Sequence, residues 1–283
     1  MDNGILSIII INYKNPPLLR LCLKSFLMTL QPNFSKEIIV IDISSTIETR
    51  NVISEFPEAR AICFKENIGY TKGVNEGIKN SNGDAVLILN SDIIPLKNSI
   101  ENMYEYLSRN NDVGIVGPQL LNFDGTPQVS FFRLPSPWTL IYRRTFLGRL
   151  PAGKNHLDNF TMKNIDHSKL HPTDWLMGSA FMVNRKAIDK VGPMDENMFL
   201  YMSDVDWPRR FWENGYRVLY YPDSKLYHYH KRDSKGCFGI LDILIKKESR
   251  WHIIDAIRYF KKHGISTRLA RASGEARAKS FSA

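Results

Sequence analysis

The stretch DAVLILNSD, Asp84 to Asp92, runs apolar from Ala85 to Leu89 and then turns abruptly polar at Asn90, Ser91 and Asp92. A strand with one wet face alternates apolar and polar residues, so an unbroken run predicts a strand buried on both faces, as in a parallel sheet covered by helices. ILSIIII (Ile5–Ile11) and EIIVIDIS (Glu37–Ser44) repeat the pattern, and ARAICF (Ala59–Phe64) and VGIVGP (Val113–Pro118) give weaker versions. Between them lie segments of helical spacing: Leu18 to Leu30, the glycine-rich GYTKGVNEGIKNSNG (Gly69–Gly83), and about Lys97 to Arg109. Strands alternating with helices predict an open, doubly wound, mostly parallel twisted α/β sheet. Such sheets bind ligands beyond the carboxyl ends of their strands, where Asn12, Asp42 and Asp92 fall.

The chain has 283 residues, 43% of them hydrophobic, enough for a substantial core. Its net charge of +9 suits phosphate-bearing ligands or an anionic membrane surface, or is simply a basic surface. No nucleic-acid motif accompanies it. Cys22, Cys63 and Cys237 form no paired spacing, which predicts a reduced, cytoplasmic setting. Asp2 precedes the first apolar run where a signal peptide would carry positive charge, and no stretch reaches the roughly 18 to 20 apolar residues of a membrane span. The expectation is a cytoplasmic protein, at most peripheral at a membrane.

From Phe123 to about Asp174 periodicity fades among Pro135, Pro137, Pro151 and Pro172, which predicts a long irregular loop or an insertion over the sheet edge, suited to act as a lid. Beyond it, WLMGSAFMVNRKAIDKVG (Trp175–Gly192) reads as a strand and short helix. VDWPRRFWENG (Val205–Gly215) reads as a helix with Asp206 as N-cap and Pro208 in its first turn, and YRVLYYP (Tyr216–Pro222) as a strand. The stretch Gly239 to Gly264 is amphipathic and basic. It suits either an anionic leaflet or packing on the domain with its charges solvated.

Several residue groups could carry chemistry. Asp42 could accept a hydrogen bond from a nucleobase N–H, although Asp before Ser reads more simply as a turn. Gly69, Gly73 and Gly77 recur every fourth residue along one helix face and allow close approach of a strand or a ligand. Asn90 and Asp92 leave one face of an extended backbone and could hold Mg²⁺ or Mn²⁺; the alternative is a strand-end turn. Asp204, behind the apolar MFLYM (Met198–Met202), could act as a general base. His228 and His230, two apart in LYHYH (Leu226–His230), could complete a metal site or be inert surface.

In order, SIIIINYKN (Ser7–Asn15), IIVIDISS (Ile38–Ser45), ENIGYTKGVNEGI (Glu66–Ile78), LILNSDIIP (Leu87–Pro95), GPQLLNFDG (Gly117–Gly125), the run from Trp175 to Val218 and YYPDSKLYHYHKRDS (Tyr220–Ser234) resemble the family 2 inverting nucleotide-sugar glycosyltransferases, in particular rhamnosyltransferase-like members. The resemblance implies the GT-A fold over residues 1–238, with a nucleotide-sugar half at 1–120, an acceptor half at 121–238, and a basic extension at 239–283. It implies that Asn12, Asp42, Asn67, Gly69, Asn75, Asn90, Ser91 and Asp92 line the donor site, with Asp42 at the base. It further implies Asp92 and His228 at a divalent metal, Trp175 and Gly178 at the acceptor, and Asp204 as catalytic base. The implied partners are a nucleotide-sugar donor, such as dTDP-rhamnose or a UDP-sugar, and a saccharide or lipid-linked glycan acceptor. Three residues depart from the family pattern: Ile43 replaces an asparagine, and Ile47 and Ser203 stand where acids are usual. Those departures motivate one rival, a non-catalytic nucleotide-binding protein. A nucleotidyltransferase is disfavoured because NYKNPP (Asn12–Pro17) replaces the glycine- and arginine-rich loop of those enzymes.

Overall fold

The computed structural model describes residues 4–229, 247–267 and 269. The amino-terminal half runs β1 (Leu6–Asn12), α1 (Pro16–Thr29), β2 (Lys36–Asp42), α2 (Ile47–Ser54), β3 (Ala59–Cys63), α3 (Tyr70–Lys79), β4 (Ala85–Asn90), β5 (Ile93–Pro95), α4 (Ser99–Arg109) and β6 (Val113–Leu121). The second half runs β7 (Phe131–Phe132), α5 (Pro137–Arg144), α6 (Pro151–Phe160), β8 (His171–Pro172), β9 (Trp175–Leu176), β10 (Ala180–Asn184), α7 (Arg185–Val191), α8 (Ser203–Glu213), β11 (Arg217–His228) and α9 (Lys247–His263).

The main sheet has the order β3-β2-β1-β4-β10-β6-β11-β5, with β8 on β11. Its long pairings are parallel: β1 with β2 and β4, β2 with β3, and β6 with β11. Strand β10 runs antiparallel between β4 and β6, so residues entering β10 arrive at the edge where β1, β2 and β4 end. Register then brings Asn12 beside Asp42 and Ile11 beside Asn90. Every residue of β1 is buried, as its continuous apolar run predicts.

One core lies under α1, α2 and α4, and a second, including Ile9, Ile41, Val74 and Trp207, under α3, α7 and α8. Helix α3 approaches the sheet closely. A Cβ on Gly73 would lie 2.6 Å from Cγ2 of Ile43, and one on Gly77 would overlap Ile9. Close packing therefore accounts for both glycines.

Two expectations need correction, and one helix went unread. Residues 137–160 are not an irregular loop: they form α5 and α6, joined by a 3-10 turn at Phe146–Arg149. The prolines start these helices instead of breaking them, since each sits in a first turn where no N–H is needed, and Ser136 with Thr139 makes a capping box. Helix α2, capped by Thr46, has no counterpart in the sequence reading, because only Thr49 and Val52 are fully buried, with Ile53 packed at the margin of the core, and the apolar period is short. Asp206 is not an N-cap. Helix α8 starts at Ser203 behind a left-handed Met202 (φ 63°), which leaves Asp204 at the second position and Asp206 at the fourth.

Helix α9 packs Ala256 and Tyr259 into a third core with Phe132, Leu134, Phe160, Trp175, Met198, Met202 and Val205. Its inward face is thus covered by the domain. Its outward face exposes Ile254 and Ile257 beside Arg250, Arg258 and Lys261. No described helix is long and apolar enough to cross a membrane.

Candidate active site

The carboxyl ends of β1 and β2 meet in a buried pair. Nδ2 of Asn12 donates to Oδ1 of Asp42 at 2.9 Å, and both side chains are closed to solvent. Burial pushes the Asp42 carboxyl up, and the Asn12 hydrogen bond opposes it. Oδ1 of Asn12 is buried with no hydrogen-bond partner among the described residues, which leaves an acceptor at this edge. Ile43 fills the space left by Gly73, and Ile47 is exposed as the first residue of α2.

The amino terminus of α3 is shaped by Asn67, whose Oδ1 accepts the Gly69 N–H at 2.9 Å. Gly69 has φ 82°, and a Cβ there would lie 2.7 Å from the Phe199 ring, so glycine is required on both counts. Asn75 lies apart from these groups. Its amide spans Met194 N–H, Met194 C=O and the Glu196 carboxylate at 2.9–3.0 Å, fastening α3 to the segment after α7.

At the end of β4, Asn90 N–H donates to Ser179 C=O at 2.9 Å and buried Ser91 N–H to Ile11 C=O at 3.0 Å. Asp92 Oδ2 lies 3.8 Å from Nε2 of His228, which is 4% exposed. Gln128 orients that ring: its Oε1 is 2.8 Å from Nδ1 of His228, and its Nε2 donates to the His228 carbonyl at 2.9 Å. An amide oxygen accepts only, so Nδ1 carries the hydrogen, and in the neutral ring Nε2, on the Asp92 side, presents its lone pair. A carboxylate and an imidazole placed this way fit one divalent cation. Among the described residues no third His, Cys, Asp or Glu joins them. Diphosphate oxygens and water would have to complete the shell, as Mg²⁺ and Mn²⁺ commonly allow. His230 lies outside the described residues.

Asp204 is half-buried at the start of α8. Its Oδ2 accepts the Gly178 N–H at 3.1 Å, and the Gly178 carbonyl accepts the Tyr70 hydroxyl at 2.6 Å. Burial pushes its carboxyl up to about 6, against the pull of the Gly178 N–H, its own N–H and the positive charge of Arg143. The step from Gly178 to Ser179 joins the two halves of the site: Gly178 holds Asp204, and Ser179 receives Asn90. Trp175, three residues earlier, is buried and donates from its indole to Arg133 C=O at 2.7 Å. Asp206 is bound away from the site by Arg210, Lys262 and His263 at 2.6–2.9 Å, which holds its carboxyl down at about 2. Ser203 is buried with its hydroxyl lacking a partner among the described residues. Pro208, lacking an N–H, cannot make the helical hydrogen bond to Asp204 C=O.

The strand-end crevice thus brings together a buried polar pair, a carboxylate–imidazole pair and one carboxyl raised toward neutrality, groups of the kind that bind a cation and move a proton. The sequence model of glycosyl transferase family 2 matches residues 7–192. The chain belongs to that family. As a family 2 member it is a glycosyltransferase, and its curated relatives agree. It is 27% identical to N-acetylglucosaminyl-diphospho-decaprenol L-rhamnosyltransferase of Mycobacterium tuberculosis over 261 residues, 82% of this chain and 78% of the relative. It is 30% identical over 210 residues to the low-salt glycan biosynthesis hexosyltransferase Agl10 of Haloferax volcanii, covering 71% of this chain and 60% of that one. Among solved structures, GalNAc-T7 with UDP, GalNAc and Mn²⁺ superposes with a TM-score of 0.64 at 14% identity, over 81% of this chain but only 44% of its own. The mannosyltransferase PcManGT of Pyrobaculum calidifontis, with GDP-Man and Mn²⁺, gives 0.55 at 16% identity, over 97% and 77%. These structural likenesses establish the GT-A fold.

Gln128 and Tyr70 take part in these contacts without having been singled out in the sequence. Tyr70 lies inside a quoted motif, but Gln128 carries no local signal, because its partner His228 is a hundred residues away.

Proposed function

We propose that this glycosyltransferase moves a hexosyl or rhamnosyl group from a nucleoside-diphosphate sugar to an acceptor hydroxyl by one in-line displacement, with inversion at the anomeric carbon. Asp204 takes the hydroxyl proton as the acceptor oxygen bonds to the anomeric carbon, and the bond from that carbon to the diphosphate breaks. The observation that carries the reading is the state of Asp204: one oxygen fixed by Gly178, and a carboxyl raised to about 6 in a half-buried crevice. Asp92 and His228 would hold Mg²⁺ or Mn²⁺, which when bound neutralises charge developing on the departing diphosphate. Asn12, Asn67 and Gly69 shape the donor pocket at the strand ends. A shielded site favours the acceptor over water.

The names of the relatives motivate a rhamnosyl donor, for which dTDP-rhamnose is the first candidate, and a lipid-linked diphosphate acceptor for this chain. The outward face of α9 supports such an acceptor, because Ile254 and Ile257 stand exposed among Arg250, Arg258 and Lys261, a mixture suited to an anionic leaflet. Replacing both isoleucines by Asp should abolish co-sedimentation with phosphatidylglycerol vesicles; unchanged binding would remove α9 from that role.

The direct test is release of nucleoside diphosphate from dTDP-rhamnose, UDP-sugars and GDP-mannose with Mn²⁺ and a short-chain lipid-diphosphate GlcNAc acceptor. Acceptor-dependent release with one donor is expected. Binding of nucleotides without any turnover would favour the non-catalytic rival.

A further inference from the structure

The residues that deliver Asp204 to the crevice are held from outside the crevice. Phe199, Leu200 and Tyr201 have no regular secondary structure, yet their three consecutive N–H groups all donate to one carboxylate, Asp255 of α9. The Phe199 N–H reaches Oδ1 at 3.1 Å, and the Leu200 and Tyr201 N–H groups reach Oδ2 at 3.0 and 2.9 Å. The Asp255 side chain is 1% exposed, with Arg258 at 3.5 Å as its charged neighbour. Two further α9 residues grip the same segment: the Trp251 ring packs on Phe199 at 4.7 Å and His252 on Tyr201 at 4.8 Å.

This segment feeds directly into Met202, a non-glycine residue in the left-handed region, and then into Ser203 and Asp204. Such a backbone is strained and persists only where its surroundings over-determine it. The buried Met202 side chain supplies part of that restraint, and three charge-assisted hydrogen bonds on the preceding residues supply the rest. The segment also borders the donor side, since the Phe199 ring covers Gly69 and its carbonyl faces the Thr71 N–H at 3.5 Å.

We infer that Asp255 is a positioning residue for glycosyl transfer: from the C-terminal helix it fixes residues 199–201, and through them sets where the Asp204 carboxylate stands. The inference rests on Asp204 being the base. It makes α9 part of the catalytic apparatus, in addition to any part it has in membrane contact.

The test has two arms. In the intact wild-type protein, backbone amide hydrogen exchange at Phe199, Leu200 and Tyr201 should be as slow as in neighbouring α8; exchange at the rate of an open loop would overturn the inference without any variant. In the second arm, Asp255→Asn keeps size but loses at least one acceptor. With dTDP-rhamnose and the lipid-diphosphate GlcNAc acceptor, its kcat should fall at least tenfold while UDP affinity with Mn²⁺ stays within twofold, and Asp255→Glu should recover part of the loss. In an Asp204→Asn background, Asp255→Asn should change residual turnover less than twofold. Equal losses in both backgrounds, or an unchanged kcat, would overturn the positioning role. If Asp204→Asn alone keeps full turnover, the base assignment fails instead, and the exchange arm still judges whether Asp255 holds the segment.

Discussion

Gly178 and Asp204 are in contact through both backbone and missing side chain: the Gly178 N–H donates to Oδ2 at 3.1 Å, and a Cβ on Gly178 would lie 3.2 Å from Cβ of Asp204 and 3.3 Å from that same oxygen. Such contacts are tight but not impossible, so an added methyl should displace the carboxylate by a few tenths of an ångström instead of unfolding the protein. Because displacements near 1 Å cost on the order of 10²-fold in rate, Gly178→Ala should lower kcat by about tenfold. Steady-state kinetics would show it as a change in kcat with little change in nucleotide affinity.

The raised carboxyl of Asp204 has two consequences of definite sign. Below about pH 6 it is protonated and cannot accept the hydroxyl proton, so kcat/KM should fall on the acid side of about 6. Its folded value lies above the ordinary carboxylate range, so the folded state holds the proton more tightly than the unfolded chain, and ionising Asp204 costs stability as pH rises through that window. Asp204→Asn should therefore stabilise the protein at pH 7.5. Two units correspond to roughly 2.7 kcal/mol, and partial exposure with a weakened Gly178 hydrogen bond reduces the expected gain to about 1 kcal/mol. Denaturant melts at pH 7.5 and pH 3 would show the gain only at the higher pH.

Asp206 behaves in the opposite sense. Its carboxyl is held down at about 2 by His263, Arg210 and Lys262, so its contribution is complete above pH 4 and is lost as pH falls toward about 2. Asp206→Asn leaves that cationic cluster without its counter-charge and should cost about 3 kcal/mol at pH 7. Acid titration of stability should then be flatter between pH 4 and pH 2 than in the wild type.

Gln128 fixes the His228 ring that faces Asp92. Removing such an orienting partner typically weakens a metal site by 10- to 100-fold. Gln128→Ala should shift the Mn²⁺ concentration needed for UDP-dependent thermal stabilisation upward by about that factor. An unchanged Mn²⁺ dependence would argue against His228 as a ligand.

The sheet and its polar edge were legible because continuous apolar runs admit few other readings: Asn12 and Asp42 end β1 and β2 side by side, and Asp92 lies two residues beyond the end of β4. The residues after them were harder. Local rules made Asp206 a cap and Pro208 a first-turn residue, but α8 begins four residues earlier, at Ser203 behind a left-handed Met202 held by tertiary contacts. The same holds for 137–160, where prolines that read as breakers start two helices over the third core. Asp255 was invisible for a related reason: its partners are more than fifty residues away in sequence, and no local pattern marks a carboxylate that serves another segment's backbone. Asp204 itself was legible only through its apolar surroundings and the family resemblance.

That Asp204 is the base is tested most directly by Asp204→Asn, assayed for transfer from dTDP-rhamnose and for UDP binding with Mn²⁺ on the same preparation. Loss of a general base typically costs 10²- to 10⁴-fold, so transfer should fall by about that factor with UDP affinity within twofold of wild type. Transfer at the wild-type rate by a folded, nucleotide-binding Asp204→Asn protein would contradict the account.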